Sequence, residues 1–200
     1  MKLYKHYSIK YIVDRSKTIF QNFLNPGIPW LTNESIEIIS KLLHGDDVGL
    51  EIGSGRSTKW FAKRSKFLTS LENDDLWFKK VKLELEKLKI DKKVNYKFLT
   101  DFDAFEDYVD DLPNESLDFC LIDGGNRGKL ANKIVPKLRS NSFLIIDNVN
   151  WYLPSDSTSP GSIRYGEEID KDWEAFSKIV FSKRKIWTSN GVSDTAIYFF

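Results

Sequence analysis

The chain has 200 residues and a formal net charge of +1, with 41% apolar and 30% charged side chains. That length suits one α/β domain with its own core. The near-neutral balance argues against a dedicated nucleic-acid binder, which carries a marked basic excess.

The first ten residues are polar and mixed, without the apolar core of a signal peptide. No run approaches the ~20 apolar residues of a membrane span. The only cysteine, Cys120, lies in the apolar run Leu117-Asp118-Phe119-Cys120-Leu121-Ile122, so it reads as core and excludes a disulfide framework within the chain. A cytoplasmic protein with no nucleic-acid or membrane partner is expected.

The first thirty residues are aromatic and basic and close on Asn25-Pro26-Gly27-Ile28-Pro29-Trp30, a turn-rich stretch. Thr32 or Asn33 can cap a helix with Ile36, Ile39, Leu42 and Leu43 on one face, closed by His44-Gly45. Strands and helices then alternate. A strand at 48–52 leads through Gly53-Ser54-Gly55 into a helix from about Ser57, and 67–71 is a second strand. Leu76, Val81, Leu85 and Leu88 mark an amphipathic helix. A strand at 94–99 precedes a short helix at 102–109; a strand at 117–122 precedes a helix at 129–138; 143–146 is a fifth strand. Such alternation implies a mainly parallel sheet covered by helices on both faces.

The tail departs from this rhythm. Residues 153–166 are rich in Pro, Ser and Gly and are expected to form a mobile lid, flanked by Trp151, Tyr152 and Tyr165. After a helix at 173–181, strands at 184–188 and 195–200 meet through Ser189-Asn190-Gly191, a hairpin signal.

Gly53 and Gly55 let the backbone turn sharply and approach a ligand, and the helix beyond offers free N–H groups. A dinucleotide fingerprint wants a third glycine where Thr58 stands. Glu51 would repel a pyrophosphate and suits a cationic ligand instead. Glu72 ends the second strand, nineteen residues past Gly53, where a carboxylate can accept from both ribose hydroxyls. Asp101 follows the third strand, within reach of an adenine amino group, and Asp123 follows the fourth. Four acids on one rim favour a cationic adenosine ligand.

These parts resemble the class I S-adenosylmethionine-dependent methyltransferases. The resemblance rests on Glu51-Ile52-Gly53-Ser54-Gly55, Glu72, Asp101, Leu121-Ile122-Asp123-Gly124 and the final hairpin, and runs from about Pro29 to Phe200. Pro29-Trp30-Leu31-Thr32, Gly53-Ser54-Gly55-Arg56-Ser57-Thr58 and Asn190-Gly191-Val192-Ser193-Asp194-Thr195-Ala196 are similar to a little-characterised bacterial branch. The resemblance implies a Rossmann-like, doubly wound α/β sheet of seven strands, mainly parallel with an antiparallel last strand. It implies S-adenosylmethionine as cofactor, with contacts from Glu51, Gly53, Ser54, Gly55, Ser57, Thr58, Glu72, Asn73, Asp101, Phe102 and Asp123. Residues 33–200 are expected to be the single cofactor-binding domain, and residues 1–32 an extension packing on or near the active site.

Asp147-Asn148 follows the fifth strand, beside Asp123 on its neighbour. Two carboxylates and an amide oxygen make a hard-oxygen set suited to Mg²⁺ or another divalent cation. The set of Asp123, Asp147 and Asn148 is similar to the metal site of cation-dependent O-methyltransferases, in which the ion activates and positions a hydroxyl. Asn126 stands where those enzymes carry a lysine base, with Arg127 and Lys129 nearby but shifted. Asp123 and Asp147 are the candidate catalytic groups. The expected reaction is methyl transfer to a small-molecule hydroxyl. The alternatives are a non-catalytic S-adenosylmethionine-binding protein and, less favoured by Thr58 and Glu51, an NAD-binding oxidoreductase. Expected partners are the small-molecule acceptor and a second copy in a homodimer.

Overall fold

The alternation is realised as one sheet flanked by two helical layers. A computed structural model describes residues 8–200; residues 1–7 of the expected extension lie outside it. Helices α1 (Ile9–Leu24) and α2 (Asn33–Leu42) precede the sheet. Then come β1 (Val48–Ile52), α3 (Arg56–Ala62), β2 (Phe67–Glu72), α4 (Asp75–Lys87), β3 (Val94–Phe98) and α5 (Phe102–Asp111). The second half holds β4 (Leu117–Ile122), α6 (Arg127–Ile134), β5 (Leu138–Asp147), α7 (Lys171–Ile179), β6 (Lys185–Ser189) and β7 (Asp194–Phe199).

The strand order is β3-β2-β1-β4-β5-β7-β6. All pairs from β3 to β5 are parallel, while β7 runs antiparallel to both β5 and β6. The fold is therefore the expected doubly wound sheet with an antiparallel last strand. The order reverses between β1 and β4, and the carboxyl ends there form the crevice where such sheets take their ligands.

Alternate residues of each strand feed two cores. One face buries Leu50, Ile52, Ile122 and Ile146 against Phe105 of α5, Ile134 of α6 and Phe176 of α7. The other buries Leu68, Phe119, Leu121 and Ile145 against Ile39 of α2, Phe61 of α3 and Val81 of α4. Gly49 makes the second core possible. It pairs with Phe119, and a Cβ at 49 would fall 2.1 Å from that ring. The freed space lets Phe119 stack between Phe61 and Phe143, at centroid distances of 5.0 and 5.8 Å.

Three elements differ from expectation. The aromatic leader contains α1, capped by Ser8, whose side chain accepts from the Tyr11 N–H. The helix predicted to reach residue 138 ends at Ile134, followed by a 3-10 turn over Val135–Lys137. Pro136 has no N–H for an α-helical bond, which fits the break. The fifth strand begins at Leu138 rather than 143; its polar, exposed stretch Arg139-Ser140-Asn141 and the register shift against β4 hide its start from the apolar pattern. The hairpin stands where predicted, with Ser189 facing Asp194. Asn190 caps its turn, accepting from the N–H groups of Val192 and Ser193.

Candidate cofactor and acceptor site

The glycine turn closes over the end of β1 at the reversal point. Gly53 takes φ +88°, and its N–H donates to the Leu71 carbonyl at 3.0 Å. From the β4 side, the Asp123 N–H donates to the Ile52 carbonyl at 2.8 Å. A Cβ on Gly53 would lie 3.1 Å from the backbone of Asp123 and Gly124. The sequence reading reserved that space for a ligand; the neighbouring loop fills it. Trp77, which the sequence reading did not single out, donates Nε1–H to the Ser54 carbonyl at 2.8 Å and pins the turn to α4.

Glu51 lies wholly beneath this turn, with no exposed surface. Its Oε2 accepts from the Thr58 hydroxyl at 2.6 Å and the Ser70 hydroxyl at 2.5 Å, with the Ser57 hydroxyl nearby. Thr58 Oγ1 also accepts from the Gly55 N–H at 2.8 Å. Glu51 Oε1 is buried without a partner among the described residues. Burial pushes the Glu51 carboxyl up to about 7, against the lowering effect of the three hydroxyls. Any influence of Glu51 on a cofactor thus passes through Ser57, Thr58 and its own field. In the cofactor-free protein, Glu51 favours folding below its ordinary pKa of 4.5, and that contribution is lost as pH rises toward about 7. Asp147 has the same sign and range. We therefore expect the stability difference between wild type and Glu51→Gln to grow in favour of the variant from pH 5 to 8, by on the order of 2–3 kcal/mol. Urea unfolding at several pH values checks this; parallel curves would contradict it.

Glu72, only 6% exposed, is saturated with hydrogen bonds. Its Oε1 accepts from the N–H groups of Asn73 and Asp74, both at 2.9 Å, and its Oε2 accepts from Ser54 N–H and Oγ–H. Ser54 Oγ also meets the Tyr96 hydroxyl at 2.7 Å. A ribose hydroxyl reaching Glu72 must therefore displace the Ser54 hydroxyl. Asp101 is the N-cap of α5, with Oδ1 accepting from the Ala104 N–H at 2.8 Å, and Phe102 beside it is 47% exposed. Both sit at the same rim, one strand beyond Glu72.

The second constellation is gathered around a side chain that the sequence reading left out of the site. Arg127 Nη2 donates to the Asp123 carbonyl at 2.6 Å and to Asp123 Oδ1 at 3.1 Å. Its Nη1 donates to the Asp147 carbonyl at 2.6 Å and to Asn148 Oδ1 at 3.3 Å. Asp147, buried at 4% exposure, accepts on Oδ1 from the Thr195 hydroxyl at 2.9 Å. Burial first, and then the Asp123 charge, push its carboxyl up to about 7. Burial also raises Asp123, though Arg127 opposes the shift. A divalent cation on Asp123, Asp147 and Asn148 does not fit this arrangement, since the guanidinium takes Asp123 Oδ1 and Asn148 Oδ1 and the Asp147 carboxylate is turned toward Thr195. Asn126, at the expected base position, instead reaches Glu106 at 3.5 Å.

No family model matches the sequence, and no curated protein does. Solved structures do. The chain is similar to the O-methyltransferase from Bacillus cereus in complex with SAH, at 14% identity over 94% of this chain and 90% of that one, TM-score 0.62. It is similar to the O-methyltransferase TomG from Streptomyces achromogenes, involved in tomaymycin synthesis and in complex with SAM, at 13% identity over 82% and 76%, TM-score 0.60. The chain has the class I methyltransferase fold. A further neighbour is precorrin 8W decarboxylase from Methanobacterium thermoautotrophicum, at 15% identity over 88% and 94%, TM-score 0.53. The methyltransferase fold alone therefore does not choose the reaction, and the site must.

Beside the glycine turn a cavity of about 800 Å³ opens between α1 and the ends of β5 and β7. Tyr11, Arg15, Trp30, Arg56, Asn148 and Trp151 line it. The Arg56 guanidinium sits 5.1 Å over the Trp30 ring and donates to the Asn22 carbonyl at 2.9 Å. A slightly larger cleft, about 860 Å³, is lined by α2, the far end of α3 and the turn after α1, away from the acids. The cavity at the rim is the one that shares Asn148 with the Arg127 cluster.

The 153–166 segment beside it, expected from its composition to form a mobile lid, carries buried anchors. Ser159 is fully buried and donates to Asp194 Oδ1 at 2.6 Å. Asn150 Nδ2 and Trp151 Nε1 both donate to the Pro160 carbonyl at 3.2 Å. These bonds tie the segment to the hairpin and to the end of β5. Among the described residues, no helix is long and apolar enough to cross a membrane.

Proposed function

We propose that the chain transfers a methyl group from S-adenosylmethionine to a hydroxyl of a small molecule. The observation that carries this reading is the convergence of Glu51, Glu72 and Asp123 with the Gly53-Ser54-Gly55 turn at one reversal point. A negative rim against an open backbone turn suits an adenosine ligand with positive charge and opposes a pyrophosphate. The buried, half-partnered Glu51, when ionised, supplies negative potential beneath the turn. Glu72 takes the ribose hydroxyls in exchange for Ser54, and Phe102 and Asp101 border the adenine.

When bound, the cofactor supplies a methyl group already activated by its sulfonium, so the protein mostly aligns the two reactants. The small molecule enters the cavity between Trp30, Trp151 and Arg56, whose rings and guanidinium suit a planar or anionic compound. Asp123, whose side chain is 36% exposed, takes the hydroxyl proton as the new bond to carbon forms. Asp147 is too buried for direct contact and stiffens the rim through Thr195.

Incubation with S-adenosylmethionine and a panel of phenols and sugars tests this. Mass spectrometry is expected to find S-adenosylhomocysteine and a methylated product in equal amounts. Asp123→Asn is expected to lose turnover by about 100-fold or more, a larger loss than any accompanying drop in cofactor affinity. Tight cofactor binding with no turnover on any hydroxyl would favour the non-catalytic alternative.

A further inference from the structure

We infer that the Arg127 guanidinium takes the place of a divalent cation in this site, clamping the ends of β4 and β5, so that the chain neither binds nor needs such an ion. The donor count is the first argument. The two Nη nitrogens carry four hydrogens, and four oxygens receive them: Asp123 O and Oδ1, Asp147 O, and Asn148 Oδ1. These oxygens, one carboxylate, two carbonyls and one amide, are a hard set of the kind that takes Mg²⁺, Mn²⁺ or Ca²⁺. A cation at their centre would have to expel a side chain that is only 12% exposed and already positively charged.

Placement is the second argument. Arg127 is the first residue of α6. A cation at a helix N-terminus faces the positive end of the helix dipole, so this position is unfavourable unless something compensates. Here the oxygens at the ends of β4 and β5 compensate. Asn148 adopts φ 50° and ψ 30°, a left-handed conformation uncommon outside glycine, while its Oδ1 accepts from Arg127. The Asp147 carboxylate is turned toward the antiparallel strand, where its Oδ1 accepts from Thr195, and it is not among the oxygens that Arg127 holds. Arg127 is thus a positioning residue. It holds Asp123 and Asn148 at fixed separation, with Asn148 on the cavity wall.

The consequence for turnover rests on the methyltransferase reading; the consequence for ion binding does not. Cofactor-free protein titrated with Mn²⁺, with the free ion read by electron paramagnetic resonance, is expected to bind none at about millimolar ion. A bound Mn²⁺ that disappears in Asp123→Asn would overturn the inference whatever the chain catalyses. Arg127→Ala, folded by circular dichroism, is expected to take up one Mn²⁺ on the vacated oxygens and to lose it again when Asp123→Asn is added. A folded Arg127→Ala that binds no Mn²⁺ would count against a cation-competent oxygen set. If Arg127→Ala does not fold, the wild-type titration still decides. Where a methyl acceptor is in hand, turnover is expected to be equal in EDTA and in Mg²⁺, and a loss in EDTA restored by Mg²⁺ would overturn the claim.

Discussion

Replacing Glu72 by alanine is expected to weaken S-adenosylhomocysteine binding by roughly 1.5–3 kcal/mol, about 10- to 150-fold. Two losses contribute. A charged hydrogen-bond acceptor disappears from the place where the ribose hydroxyls arrive. The turn also loses its tie, because Ser54 N–H and Oγ–H, with the N–H groups of Asn73 and Asp74, all donate to this one carboxylate. Glu72→Gln separates the two. Its carbonyl oxygen can still accept from Asn73 and Asp74, but its amide then faces the Ser54 N–H donor, so an intermediate loss is expected. Calorimetry on folded variants measures this, and an unchanged affinity in Glu72→Ala would remove Glu72 from the cofactor site.

Gly53→Val is expected to damage both stability and binding. The native φ of +88° is strained for a β-branched residue, and the new Cβ would meet the backbone of Asp123 and Gly124 at about 3.1 Å. Backbone cannot swing aside as a side chain can. Strain and overpacking together are worth roughly 2–5 kcal/mol, to be read from urea unfolding. Gly124→Ala probes the same approach from the other side, its Cβ lying 3.2 Å from Gly53 Cα without a positive φ, so a smaller loss is expected. Equal stability of Gly53→Val and wild type would contradict the close packing of the two turns.

These two sites show what the sequence carried and what it withheld. The glycine turn, the acids at the strand ends and the closing hairpin are local patterns, and each stands where it was read. The contact of Gly53 with Gly124 joins residues about seventy positions apart, so spacing alone cannot reveal it. Arg127 is similar. Its position four residues after Asp123 is visible in the sequence, but its bonds to Asp147 and Asn148 depend on β4 and β5 being neighbours. Helix α1 was legible and missed: Ile9, Ile12, Val13, Phe20 and Phe23 recur at helical spacing after a capping Ser8. The aromatic and basic residues between them mask that period. The anchors of the 153–166 segment lay out of reach, since Ser159 finds its partner in Asp194, thirty-five residues on.

We propose the rim at the β1–β4 reversal point as a site for a cationic adenosine ligand of the S-adenosylmethionine type. Isothermal titration of the purified chain with S-adenosylhomocysteine, and in parallel with NAD⁺, tests it most directly. One site is expected for S-adenosylhomocysteine, weakened in Glu72→Ala, and no heat with NAD⁺. Binding of NAD⁺ in preference to S-adenosylhomocysteine, or of neither by a folded protein, would contradict it.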